Sequence, residues 1–162
     1  MENFYLQLDG VDGESTSKQA LKHIELVSFN HNVSMPLTGN NSDVGRTTGR
    51  CRHGNITVSK RMDKTTPVLN KMCSGGETIK TATIRVFGAM DDGKTIEYYN
   101  IGLKDCIIAQ ISVNGGGMGR PQETFQLNYN EIEWTYIQHN HDTGGKAGNV
   151  SHKWSLQTNT GS

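Results

Sequence analysis

Thr124-Phe125-Gln126-Leu127-Asn128-Tyr129-Asn130-Glu131-Ile132-Glu133-Trp134-Thr135-Tyr136-Ile137-Gln138 alternates apolar and polar side chains, the period-two pattern of a strand with one buried face. The alternation does not keep its phase. Phe125, Leu127 and Tyr129 are odd-numbered, whereas Ile132, Trp134 and Tyr136 are even. A slip of one residue moves every later side chain to the opposite face, so the sequence predicts a bulge or sharp bend near Asn130-Glu131. Bends of this kind are what a sheet needs in order to curl into a barrel.

The same period recurs outward in both directions. Phe4, Leu6 and Leu8 mark a first strand, which Asp9-Gly10-Val11-Asp12-Gly13 turns back. A second strand is expected from about His23 to Val33, with Ile24 and Leu26 on one face and Val27, Phe29 and Val33 on the other. Apolar groups on both faces imply that both are covered. Further strands are read around 54–61, 81–88, 95–113 and 152–158, the 95–113 segment bending or dividing near Lys104-Asp105. One helix is predicted in Thr65–Gly76: Thr66 caps it, Pro67 takes the first helical position, Gly75 supplies a left-handed stop, and Val68, Leu69 and Met72 share a buried face. Two stretches read as loops, the polar Ser34–Arg52 segment and the Gly-rich Asn114–Gln122 connector. The first is longer than the ~12 to 15 residues of an ordinary structureless loop, which points to a function for it.

Length and composition bound the function. A chain of 162 residues with 33% hydrophobic side chains has room for one domain, 1–162. Sixteen basic and sixteen acidic residues cancel, which leaves no net attraction for nucleic acid or an anionic membrane. The N-terminal MENFYLQLDG has no basic end followed by a long apolar run, and no stretch approaches the ~18 apolar residues of a spanning helix. The expected route is therefore synthesis in the cytoplasm without a signal peptide and without membrane insertion. Cys51, Cys73 and Cys106 are odd in number and far apart, giving neither a disulfide framework nor a CxxC metal pair.

A search for chemistry finds no catalytic residues. Gly115-Gly116-Gly117-Met118-Gly119 lacks the last glycine of GxGxxG, since Arg120 stands there, and a strand follows rather than a helix. His139 and His141, two apart and followed by Asp142, with His152 further on, are the one cluster with metal-ligand character, but a Gly-rich turn surrounds them and no metal site is expected. Glu131 and Glu133 share the polar side of their strand, where carboxylates are ordinarily solvated or in subunit contacts rather than a glycosidase pair. GxSxG and HExxH are absent, and no cofactor is implied.

An ordered set of segments resembles the Hcp family, the haemolysin-coregulated tube proteins of type VI secretion. It comprises Asp9-Gly10-Val11-Asp12-Gly13-Glu14-Ser15, Ile24-Glu25-Leu26-Val27-Ser28-Phe29 and Lys60-Arg61-Met62-Asp63-Lys64-Thr65-Thr66-Pro67. It continues through Leu103-Lys104-Asp105-Cys106-Ile107-Ile108, Pro121-Gln122-Glu123-Thr124 and Trp154-Ser155-Leu156-Gln157-Thr158-Asn159. The resemblance spans essentially the whole chain and leaves three residues after Asn159, so no appended toxin domain is expected. Where many members carry an aromatic-Gly ending, this chain has Asn30-His31-Asn32.

The resemblance implies a small closed β-barrel of two antiparallel sheets with one short flanking helix and an extended loop. It implies homo-hexameric rings stacked into a tube inside a contractile sheath, capped by a VgrG-type spike and expelled from a Gram-negative cell, with small effector proteins in the lumen. Asn41, Asp43, Val44, Arg46 and Thr47 then correspond to a ring-stacking loop, Ser28 and Asn30 to the lumen wall, and Asp12, Glu14, Lys60 and Arg61 to contacts between subunits. A ring of this kind requires one surface to meet a different surface on the neighbour. The competing class is a monomeric or dimeric β-sandwich that binds a carbohydrate or small ligand through Trp134 or Tyr136.

Overall fold

The chain forms β1 (Asn3–Leu8), β2 (Ile24–Leu26), β3 (Ser28–Asn30), β4 (Val33–Ser34), β5 (Arg52–His53), β6 (Ile56–Arg61), α1 (Thr66–Gly75), β7 (Thr78–Ala89), β8 (Thr95–Asn114), β9 (Gln122–Asn128), β10 (Glu131–His139), β11 (Lys146–Ser155) and β12 (Thr160–Gly161). The computed structural model describes residues 2–39, 42, 44–140, 142–143 and 145–162. Within them the fold is mainly β, with a ten-stranded sheet, a two-stranded arm made by β4 and β5, and one short helix. Every strand pair is antiparallel.

The 20-residue strand β8 organises this sheet. Along one edge it pairs with β7, which pairs with β1, which pairs with β2. Along the other edge its second half pairs with β9, which leads to β6 and β3. Only Val27 separates β2 from β3, and its N–H donates to the Ser59 carbonyl of β6 at 2.7 Å. The ladder that leaves β8 through β7 therefore returns through β9, and the sheet closes. The first half of β8 carries β10, β11 and β12 instead. The change of partner falls at Asp105, whose φ of 52 bends the strand. Lys104 pairs with Glu131 of β10, and Ile107 pairs with Asn128 of β9. The bend expected near Lys104-Asp105 is thus present without dividing the strand.

The phase change read from the sequence is the same corner seen from the partner strands. Tyr129-Asn130 crosses from β9 to β10 opposite Asp105, and the Asn130 N–H donates to the Lys104 carbonyl at 3.0 Å. Phe125, Leu127 and Tyr129 before the corner and Ile132 after it are all buried. With Leu6, Ile24, Ile56, Val58, Ile84, Ile101, Leu103 and Ile108 they fill the barrel, and each such side chain contributes roughly 1.5–3 kcal/mol by leaving water.

Four expectations need correction. The strand predicted over His23–Val33 is three short strands, because it changes partner at Val27, from β1 to β6. Val27 and Val33 consequently remain 47% and 49% exposed rather than covered within the chain. The Ser34–Arg52 loop is not structureless among its described residues. It continues β4 and β5 outward as an arm, with a Leu37–Thr47 bridge and N–H donation from Thr38 to the Arg46 carbonyl (2.7 Å) and from Thr48 to the Pro36 carbonyl (3.0 Å). The helix starts without a side-chain cap from Thr66, whose hydroxyl is used elsewhere, and Gly76 (φ 59), not Gly75, is the left-handed stop. Leu69 is buried as expected, but Val68 is 42% exposed. Finally, β11 begins before His152, because β10 supplies a pairing edge as far as His139.

Candidate functional site

Three surfaces gather the residues singled out from the sequence. The first is the arm. Val44 is fully exposed at its tip, Arg46 and Thr47 are exposed beside it, and Met35 and Leu37 leave apolar surface at 44% and 59% exposure along its length. Asn41 and Asp43 lie outside the described residues.

The second is the outward face of the four strands β3, β6, β9 and β8. Ser28 stands opposite Ser59, Ser59 opposite Thr124, and Thr124 opposite Ser112. One step along, Asn30 stands opposite Thr57, Thr57 opposite Gln126, and Gln126 opposite Gln110. Partners in an antiparallel ladder project from the same face, so Ser28 and Asn30 each end a row of hydroxyl and amide side chains with no charge in either row. Ser59 and Thr124 share a hydrogen bond of 3.1 Å, and Asn55 donates to Gln126 at 3.3 Å.

The third lies where the 9–15 turn meets the entry to α1. Glu14, Glu25, Arg61 and Arg120 line a cleft of about 480 Å³ together with Val27 and Asp63. Asp12, exposed, faces Lys22 at 3.9 Å, and Glu14 accepts the Lys64 N–H at 3.2 Å. Lys60 does not belong to this surface, contrary to expectation. It is fully buried, with its ammonium 2.5 Å from Glu123, 2.9 Å from Asp63 and 3.4 Å from the Thr66 hydroxyl. The reason is parity: Ile56, Val58 and Lys60 share the inward face of β6, as Glu123, Phe125 and Leu127 share that of β9. Lys60 therefore has no surface to offer a neighbour, and it ties α1 to the barrel instead. The Thr66 hydroxyl donates to Glu123, which explains why it does not cap the helix. Asp63 instead holds the residue before the helix, accepting from the Thr65 N–H at 2.9 Å and from the Thr65 hydroxyl. Burial opposes ionisation of Asp63, but these hydrogen bonds and the Lys60 ammonium outweigh it and hold the carboxyl below its ordinary value.

The residues considered for chemistry are otherwise engaged. His139 bonds through Nε2 to the Glu97 carbonyl at 2.9 Å, Asp142 is exposed in the turn beyond it, and His141 lies outside the described residues. Glu131 faces Lys104 at 3.6 Å, and Glu133 accepts from the Ser151 hydroxyl at 2.8 Å. Gly117 (φ 75) and Gly119 (φ 101) make the connection between β8 and β9 and expose Met118. Cys106 is buried, and that burial, with the neighbouring Asp105 charge, pushes its thiol up to about 12, away from the thiolate a nucleophile requires.

A sequence profile of the family described as "Type VI secretion system effector, Hcp" matches residues 5–136, most of the chain. The chain belongs to the Hcp family. Protein hcp1 of Pseudomonas aeruginosa is 25% identical over 158 residues, covering 97% of this chain and 96% of that protein. The "Major exported protein" of the same organism is 26% identical over 122 residues, covering 74% of this chain and 69% of that protein. Among solved structures, a type six secretion system protein superposes with a TM-score of 0.91 at 26% identity, over the full length of both chains. The fold and the family agree with the expectation drawn from the ordered motifs, and an Hcp chain is a type VI secretion tube protein.

Proposed function

We propose that this Hcp chain is a building block of the secreted inner tube, six copies closing a ring and rings stacking through the arm. The carrying observation is the arm itself, a hydrogen-bonded projection that ends in a fully exposed Val44 and bears Met35 and Leu37 uncovered. An exposed apolar tip on a hydrogen-bonded arm is unfavourable in water and is rationalised by a receiving surface on another copy. The cleft between Glu14, Glu25, Arg61 and Arg120, with Val27 in its wall, supplies a mixed-charge face for the ring contact, where each rim pair contributes only ~0 to 1 kcal/mol and serves mainly to set register.

On this reading the uncharged rows that begin at Ser28 and Asn30 face the lumen. Such a wall holds effectors by hydrogen bonds without trapping them electrostatically. The spike, the sheath and the effectors are the further partners, and the chain's work is geometric rather than catalytic. Secretion by the type VI machine is the destination.

Size-exclusion chromatography with light scattering, followed by electron microscopy, tests the proposal. A mass near six times 17.8 kDa and ring-shaped particles are expected. A mass of one or two chains with no rings would favour the stand-alone binding module.

A further inference from the structure

The root of the arm holds a cluster that assembly alone does not explain. His53, the last residue of β5, stacks its ring on Trp134 (6.0 Å between centroids, 23° between planes) and on Trp154 (6.2 Å, 22°). His31, just before β4, lies 6.4 Å from His53 and 6.2 Å from Trp134. Its Nε2 is 2.9 Å from the Tyr129 hydroxyl, whose proton goes to the Gly54 carbonyl at 2.9 Å, so His31 is the donor to Tyr129. The Gly54 N–H closes the root by donating to the Asn32 carbonyl at 3.0 Å. Both ends of the arm are therefore clasped against β10 and β11 by two imidazoles and the aromatic rings around them.

We propose that His31 and His53 form an acid-operated latch: while both imidazoles are neutral the stack holds the arm root on β10 and β11, and protonation of the pair releases it.

The surroundings favour neutral rings. His31 and His53 are both held below the ordinary histidine value by burial, and His31 also by the neighbouring charge of His53. None of the ion pairs among the described residues involves either imidazole. Tyr129 stays protonated, since burial raises its pKa. From β5 the nearest charge in sequence is Arg52, which alternation points away from His53. From β10, Glu131 and Glu133 alternate away from Trp134, and from β11, Lys153 alternates away from Trp154. His152, opposite Trp134 on β11 and exposed, is the further titratable group on that face. A single imidazolium stacked on indole is tolerated, but a second cation nearby with no carboxylate between them is not. Because the folded values lie below the ordinary ~6.5, the closed root is fully favoured above that pH and loses stability as pH falls through it, the released form binding more protons.

The latch is a property of one chain, and only its consequence, loss of stacking in acid, rests on the tube reading. Trp134 and Trp154 are the only two tryptophans, so all tryptophan emission reports on this cluster. The experiment follows emission and acrylamide quenching of the whole protein between about pH 8 and about pH 5, the range in which histidines titrate, with far-UV circular dichroism as a check on the barrel. The expected result is a shift to longer wavelength and stronger quenching with a midpoint below the ordinary histidine value, at unchanged circular dichroism. His53→Phe, which keeps a stacked ring without a titrating group, and His31→Gln should each weaken or abolish the transition, and His152→Gln should retain it. A flat wild-type titration, an unaltered transition in both His53→Phe and His31→Gln, or its loss in His152→Gln would overturn the latch. Single particles with the transition would remove the tube reading and leave the latch, whereas hexamers with flat emission would do the reverse.

Discussion

Lys60 and Glu123 meet at 2.5 Å across β6 and β9 with neither side chain reaching solvent, and Thr66 of α1 shares both of them. The pair replaces what a barrel would ordinarily fill with two apolar side chains, and its geometry fixes where the helix entry sits. Removing Lys60 leaves the buried Glu123 without its cation, so Lys60→Met alone should cost about 3–5 kcal/mol; Glu123→Leu leaves the Lys60 ammonium on Asp63 at 2.9 Å and should cost less, and the double substitution should recover most of the Lys60→Met loss. Urea denaturation of the three variants checks this. Lys60→Met costing less than about 1 kcal/mol, the scale of a surface pair, would show that water reaches the site.

The end of α1 makes a second, finer test. Gly76 N–H donates to the Cys73 carbonyl (3.3 Å) and Glu77 N–H to the Met72 carbonyl (3.1 Å), the paired bonds of a helix stop built on a left-handed residue. A Cβ at Gly76 meets no atom within 4 Å, but its φ of 59 makes any side chain strained, so Gly76→Ala should destabilise by roughly 1 kcal/mol. Gly75 lies inside the helix, and Gly75→Ala should be neutral or stabilise by up to about 1 kcal/mol. Thermal melts that reversed this order would place the stop one residue earlier.

These residues also show what alternation makes legible. The phase change after Tyr129 revealed the corner opposite Asp105 because a slip in parity has one geometric meaning. The same parity places Lys60 with Ile56 and Val58, and Glu123 with Phe125 and Leu127, on inward faces. Applied strictly, it identifies the buried ion pair that charge alone assigns to the surface. The choice between Gly75 and Gly76 was not legible, since either glycine accepts a left-handed backbone and only the hydrogen-bond register separates them. Nor was the cluster of His31, His53, Tyr129, Trp134 and Trp154, whose members come from four separated stretches and meet only once the barrel closes. The break at Val27 was hidden for a related reason: it is set by which strand lies alongside, not by the residues of the strand itself.

Acid should weaken a specific contact between β7 and β8. Arg85 reaches Glu97 with Nη2 at 2.6 Å and Nε at 3.1 Å, and Asn100 donates to the same carboxylate at 3.1 Å. Burial opposes the Glu97 charge, but the Arg85 hydrogen bonds and charge, with Asn100, hold its pKa below the ordinary value. A lowered carboxylate contributes stability above its unfolded pKa of ~4.3 and loses it as pH falls through the folded value. Glu97→Gln is therefore expected to cost about 1 kcal/mol near neutral pH, the upper end for a partly exposed pair, with the gap to wild type closing in acid. A gap that stayed constant down to about pH 3, well below the unfolded value, would assign the cost to shape rather than charge.

If the chain stacks as proposed, the arm tip separates ring formation from stacking. Val44 touches nothing that holds the barrel together, so Val44→Asp should leave the melting transition within about 0.5 kcal/mol of wild type and leave the ring mass unchanged by light scattering. At a receiving surface on the next ring the same substitution buries an unpaired charge, which is strongly unfavourable. Tubes seen by electron microscopy should therefore shorten or disappear and secretion should fall, while Val44→Ile should preserve both. Full-length tubes and normal secretion from Val44→Asp would mean that the arm does not dock there. Stacking would then have to be sought on another exposed apolar residue, with Met118 on the β8–β9 connection the next to test, at 97% exposure.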